Sequence, residues 1–299
     1  MRHLPDFLIV GAAKSGTTSL CHSLSQHNDI FISDPKEPKF LTYKFLKKSY
    51  NGPGDDFTLK KAIKKINDYK QLFKNAKPNQ IKGEASVDSL YYYDFVIPEI
   101  KEKIGDPKII IMLRNPSQRA FSAYSHLIRD NREVLSFEDG LKKENERLEA
   151  GFEFIWAYKK ASLYFDSVKS YIENFTNVKV IIFEEFISNK KEGLIDVLNF
   201  LERDCSIIDK IQFNRQNVSG KPKNKWLNAL LLKDSVLKSF LKMVLPTTKR
   251  QNFKQWMIKK NLTPLNKDID QINKLKEEFI NDISKLEQLL NKDISTWKG

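Results

Sequence analysis

Lys14 stands inside the run Gly11-Ala12-Ala13-Lys14-Ser15-Gly16-Thr17-Thr18-Ser19-Leu20, three residues after one glycine and two before the next. A small-residue turn of this kind between a strand and a helix converges backbone N–H groups on an anion, and the helix N-terminus adds partial positive charge. Gly11 and Gly16 have the separation of the nucleotide-hydrolase loop G-x-x-x-x-G-K-[ST], in which the lysine follows the second glycine and reaches the outer phosphates. Here two threonines follow the glycine, and the lysine lies within the turn. From there Lys14 meets the bridging oxygen of a group in transfer and neutralises charge building on the leaving group.

Such a loop needs a strand before it and a helix after it. Phe7 to Val10 supplies the strand, and a helix from Thr17 carries Leu20, Cys21 and Leu24 at helical spacing. Further along, "IFISDPKEPKFL" (30–41) reads as a short strand and a proline-bounded loop, and Phe57 to Lys74 as an amphipathic helix. "QIKGEAS" (80–86) reads as a short strand. Ile109 to Leu113 is an unbroken apolar strand of the kind buried on both faces of a parallel sheet, with a helix from about Ser117 behind Pro116. A long helix is expected over 157–175, a strand in "VKVIIFEEF" (178–186), and a terminal amphipathic helix over 268–297. Strands alternating with helices predict an α/β fold: a P-loop-like, doubly wound parallel sheet flanked by helices, with a basic helical lobe near the C-terminus. Residues 1–299 are expected to form one domain, a length within the range of a single large α/β unit.

The formal net charge of +13 favours an anionic partner. Much of it is local: 221–260 holds eleven Lys or Arg residues and one acid, Asp234. That basic amphipathic stretch suits an ordinary solvated helical lobe, the border of an acceptor groove or an anionic membrane surface. Cys21 and Cys205 have no Cys or His at metal-ligand spacing, which argues against a zinc site or disulfide framework. His22, His27 and His126 show no partner pattern and read as structural or surface residues. The first apolar run is far short of the roughly 20 residues of a membrane span, and a cytoplasmic protein is expected.

The chain resembles the sulfotransferase superfamily that uses 3′-phosphoadenosine 5′-phosphosulfate (PAPS), in particular its bacterial and heparan-type carbohydrate branch. Lys14, Gly16, Thr17, Thr18 and Leu20 match the family's first motif, which implies that Lys14, Ser15, Gly16, Thr17, Thr18 and Ser19 wrap the 5′-phosphosulfate. Arg114 and Ser122 in "LRNPSQRAFSAY" match the second, implying contacts with the 3′-phosphate. Physics supports that pairing: ligands of open α/β sheets gather at the carboxyl edge, and Arg offers a fork of donors to phosphate. Arg119, three residues before Ser122, shares its helix face and either joins that contact or pairs structurally, the second reading being preferred. By the same resemblance Glu84 in "GEASVDSLYY" is the general base, Lys36 in "KEPKFL" lines the acceptor side, and Lys221 in "NVSGKPKNKW" covers the 3′-phosphate.

The reaction so implied moves a sulfuryl group from PAPS to a hydroxyl or amine of a carbohydrate or lipid-linked glycan, releasing 3′,5′-adenosine bisphosphate (PAP). Lysine and backbone donors replace Mg²⁺, so no metal is expected. Contact with the inner membrane face through 224–260 is a further expectation. A kinase or nucleotide hydrolase using ATP and Mg²⁺ shares the cradle, but the displaced lysine argues against it. A nucleic-acid-binding module explains the charge and not the loop, and no helix-turn-helix, RNA-recognition or zinc pattern is present; no nucleic-acid partner is expected.

Overall fold

Strands that are apolar on both faces must be covered on both, and the runs at 7–11 and 109–113 are of this kind. The computed structural model describes residues 3–46, 50–213, 220–224, 257, 260–263, 265 and 269–299. Strands β1 (Phe7–Gly11), β2 (Ile30–Ile32), β3 (Ile81–Ala85), β4 (Lys108–Leu113) and β5 (Val178–Ile182) pair in parallel in the order β2-β3-β1-β4-β5. Alternate residues serve opposite faces. Leu8, Val10, Ile109, Ile111 and Leu113 join one apolar core, while Phe7, Ile9, Ile110 and Met112 join another with Leu20 and Leu24 of helix α1 (Thr17–Leu24).

The chain leaves central β1 for the β2 and β3 side, then crosses to β4 on the other. That reversal places a crevice beyond the carboxyl ends of β1 and β4, where open α/β sheets bind ligands. Helix α2 (Phe40–Tyr43) follows the 33–39 loop, and α3 (Asp56–Lys61), α4 (Ile66–Gln71) and α5 (Tyr93–Lys103) lie between it and β4. Helix α6 (Pro116–Arg129) starts beside the crevice, with Pro116 at its first position. The Asn115 side chain caps it, accepting from the Gln118 N–H at 3.2 Å. The C-terminal helix (Ile269–Leu290) packs against α6 and buries Ile272, Leu275, Phe279, Ile283 and Leu286. Among the described residues no helix is long and apolar enough to cross a membrane.

Two expected helices are broken by tertiary contacts. The 57–74 segment divides into α3 and α4 because Ala62 turns extended and the Ile63 N–H bonds Pro38 O at 2.9 Å. The 157–175 helix is instead a single 3₁₀ turn (Lys160–Ser162) and a helix over Phe165–Asn174. Asp282, from the C-terminal helix, accepts from the Tyr164 and Phe165 N–H groups at 2.8 and 3.1 Å and fixes its start. Likewise the 178–186 run is strand only to Ile182 and helical from Phe183.

Candidate active site

β1 delivers the chain into the loop that carries Lys14. Lys14 (φ 70°) and Gly16 (φ 93°) both adopt the left-handed conformation, and Gly16 forms the N-cap of α1. For lysine this costs roughly 1–2 kcal/mol, so the surroundings must hold the loop. Arg119, fully buried, donates from Nε to Ala13 O and from Nη1 to Ala157 O, both at 3.1 Å. Arg114 Nη1 donates to Lys14 O at 3.2 Å. The structural reading of Arg119 matches its placement, since its bonds go to the main chain of Ala13, Ala157 and Tyr158 and to Ser162 Oγ.

A methyl group at Gly16 would lie 2.7 Å from the Phe183 ring. Gly16→Ala therefore combines overpacking with left-handed strain, and a loss of about 2–4 kcal/mol is expected. Thermal melting checks this: an unchanged midpoint would show that Phe183 yields without cost.

The loop opens on a cavity of about 940 Å³. Lys14, Gly16, Thr17, Thr18 and Ser19 line it together with Arg114 and Ser122, so the two expected motifs meet in one place. Lys36 lines it too. Burial draws the Lys14 ammonium down from 10.5 to about 7, with Arg129 next in effect and Asp130 opposing. Arg129, another cavity residue, is oriented by Asp130 Oδ1 (2.8 Å) and donates from Nη2 to His126 Nδ1 at 2.7 Å. Burial, then the charge of Lys14, holds His126 well below the ordinary imidazole range.

Three expected site residues do not line the cavity. Ser15 is fully buried beneath the loop. Lys221 is exposed on a short strand (Lys221–Pro222) paired with Leu262–Thr263, and its carbonyl accepts from Thr263 Oγ1 at 3.0 Å. Most of the basic stretch 224–260 lies outside the described residues. Glu84 is 2% exposed, and its carboxyl oxygens accept from Ser86 Oγ at 2.6 Å and Tyr69 Oη at 3.2 Å. The Tyr69 ring is stacked on Phe40 at 4.4 Å. Burial raises the Glu84 carboxyl to about 7. Its place is inside the wall, not on it.

Two acids line the cavity with Lys14, Glu153 and Glu37; Glu153 is paired with Lys39 and Arg132, which leaves Glu37. Its N–H bonds Ala85 O at 2.9 Å, which fastens the 33–39 loop over the end of β3. Lys36 Nζ lies 2.9 Å from Glu37 Oε1. The Glu37 carboxyl is held below the usual range: burial opposes this, and Lys36, Lys39 and Lys14 outweigh burial. Beyond it, Lys39 pairs with Asp88 (3.1 Å) and Glu153 (3.5 Å), and Arg132 with Asp55 and Glu153. Sequence reading missed Glu37, Arg129 and Arg132, and took His126, which lines the cavity, for a structural or surface residue. Only Glu37 left a signal, standing beside Lys36 in a stretch already assigned to the acceptor side.

A lysine within the cradle, and further cations around one cavity, make this an α/β protein built to handle a transferred anionic group. The chain belongs to the sulfotransferase domain family, whose model matches residues 4–289. It is similar over 99% of both chains to a sulfotransferase of Alicyclobacillus acidocaldarius of known structure, with 32% identity and a TM-score of 0.76. It is 34% identical over 130 residues to the bifunctional heparan sulfate N-deacetylase/N-sulfotransferase 2 of Bos taurus, covering 41% of this chain and 13% of that protein. With the heparan sulfate glucosamine 3-O-sulfotransferase 3B1 of Mus musculus it shares 26% identity over 215 residues, 70% of this chain and 49% of that protein.

Proposed function

We propose that the chain transfers a sulfuryl group from PAPS to a hydroxyl or amine of a carbohydrate, with Glu37 rather than Glu84 as general base. The observation that carries this reading is the shared cavity: Lys14, in the anion loop, and Glu37, on the 33–39 loop, line the same space. Family membership supports sulfuryl transfer, and the named activities of the heparan sulfate relatives support a carbohydrate acceptor.

The residues present suit the donor. Arg114 Nε is buried and without a hydrogen-bond partner among the described residues, a donor left over where a phosphate oxygen is called for. Arg114 and Ser122 would hold the 3′-phosphate, and Lys14 with Gly16 to Ser19 the 5′-phosphosulfate. Lys14 then stabilises the phosphate oxygen as its bond to sulfur breaks and the bonding pair stays with the phosphate. Glu37 accepts the proton of the attacking hydroxyl or amine as the new bond to sulfur forms. By analogy with phosphoryl transfer, positioning and electrostatics supply most of the acceleration.

In a thermal-shift experiment PAP is expected to stabilise the protein. Stabilisation by ATP with Mg²⁺ and none by PAP would overturn the proposal. Transfer of sulfate from PAPS to a desulfated heparan oligosaccharide tests the acceptor class directly.

Proton linkage gives a further expected outcome. Lys14, lowered to about 7, loses its charge in the ligand-free protein as pH rises through neutrality. A bound anion favours the charged form, so binding takes up a proton. PAP affinity is therefore expected to fall from pH 7 to pH 9, with proton uptake visible by calorimetry in buffers of different ionisation enthalpy. In Lys14→Arg, always charged, that fall should vanish; its persistence would assign the titration elsewhere.

A further inference from the structure

We propose that Lys36 is a positioning residue that holds the Glu37 carboxylate in its proton-accepting state and fixes its direction across the cavity. The inference rests on the reading of Glu37 as the base.

Adjacent residues in a regular strand point to opposite faces. Here the chain is not regular: Glu37 has φ 61°, and Lys36 and Glu37 both line the cavity. Their side chains, 25% and 33% exposed, meet at 2.9 Å. The backbone around the pair is fastened at Glu37 N–H to Ala85 O (2.9 Å), Ile63 N–H to Pro38 O (2.9 Å) and Lys39 N–H to Ser86 Oγ (3.3 Å). An ion pair on so fixed a backbone has a fixed direction.

The other groups around Glu37 are committed or uncharged. Lys39 is engaged with Asp88 and Glu153, and Lys14 belongs to the leaving group. From α1, the Cys21 thiol is pushed up to about 11 by burial and stays neutral at working pH. From β3, Glu84, raised to about 7, carries little charge below neutrality. Lys36 is the cation left to serve Glu37. It also answers a demand of the chemistry, because a base in a partly desolvated cavity regains a proton unless a cation stands beside it.

The test uses the full chain. Carbon-13 NMR follows the Glu37 carboxyl through a pH titration in the unaltered protein, Lys36→Met and Lys36→Arg, with Glu37→Gln identifying the signal. In parallel, the pH profile of kcat/KM is measured as PAP release from PAPS in the presence of a desulfated heparan oligosaccharide. Lys36→Met is expected to raise the Glu37 midpoint by about one pH unit or more and to move the acidic limb of the profile upward with it. Lys36→Arg should restore both, and PAP affinity should change little in either variant. A midpoint and a limb both unmoved in Lys36→Met would overturn the proposal. A midpoint that moves while the limb stays would overturn Glu37 as base, and with it the role of Lys36, leaving only the ion pair.

Discussion

Lys14→Met is expected to lower kcat for sulfate transfer by about 10²–10³-fold, the usual cost of removing one preorganised donor to a developing anion. Methionine nearly matches the lysine in length, so the cavity wall keeps its shape. The side chain it replaces is a cation whose burial disfavours its own charge, and leaving that charge out should not lower the melting temperature. Loss of turnover without loss of stability separates a chemical role from a structural one. A Met variant with more than about a tenth of normal kcat would remove Lys14 from the leaving-group role.

The second large effect distinguishes two glutamates. Glu37→Gln keeps the shape of the cavity wall and removes the proton acceptor, for which a fall in kcat of about 10²–10⁴-fold is expected. Glu84→Gln should leave kcat within a few-fold, because Glu84 is sealed between Ser86 and Tyr69. Its effect should appear in stability against pH. A buried carboxyl raised from 4.5 to about 7 contributes stability that is fully present below the unfolded value and is lost as pH rises through the folded one. The sign then predicts that Glu84→Gln gains on the unaltered protein between pH 5 and pH 8, by up to about 3 kcal/mol. Chemical denaturation at the two pH values checks this. Equal kinetic losses in both variants would reopen the choice of base.

These glutamates also show what the sequence could convey. The cradle was legible because every part of it is local: an apolar strand, two glycines, a lysine and two threonines within a dozen residues. β4 and the start of α6 were legible for the same reason, an apolar run followed by proline. The burial of Glu84 was not legible because it depends on Tyr69, fifteen residues away on a short helix, and on the Phe40 ring stacked over that tyrosine. Glu37 escaped notice because it faces the cavity only through a turn in the backbone and a bond to Ala85 O. The helix expected over 57–74 has good periodicity, yet Ile63 leaves it to hold Pro38. These three misses lie where a distant contact outweighs local preference, and the contacts cluster around the 33–39 loop.

Arg119 carries a consequence for timing. The guanidinium that ties Ala13 O to Ala157 O holds the loop through the protein's own main chain. The loop is therefore shaped during folding and not by its ligand, and little backbone freedom is left to lose on binding. The Ala12 and Ser15 amides, bonded to Met112 O and Ala12 O, should exchange slowly with solvent before PAP is added. Association should then proceed in one kinetic phase, its rate set by encounter and ionic strength, with no slower step of loop ordering.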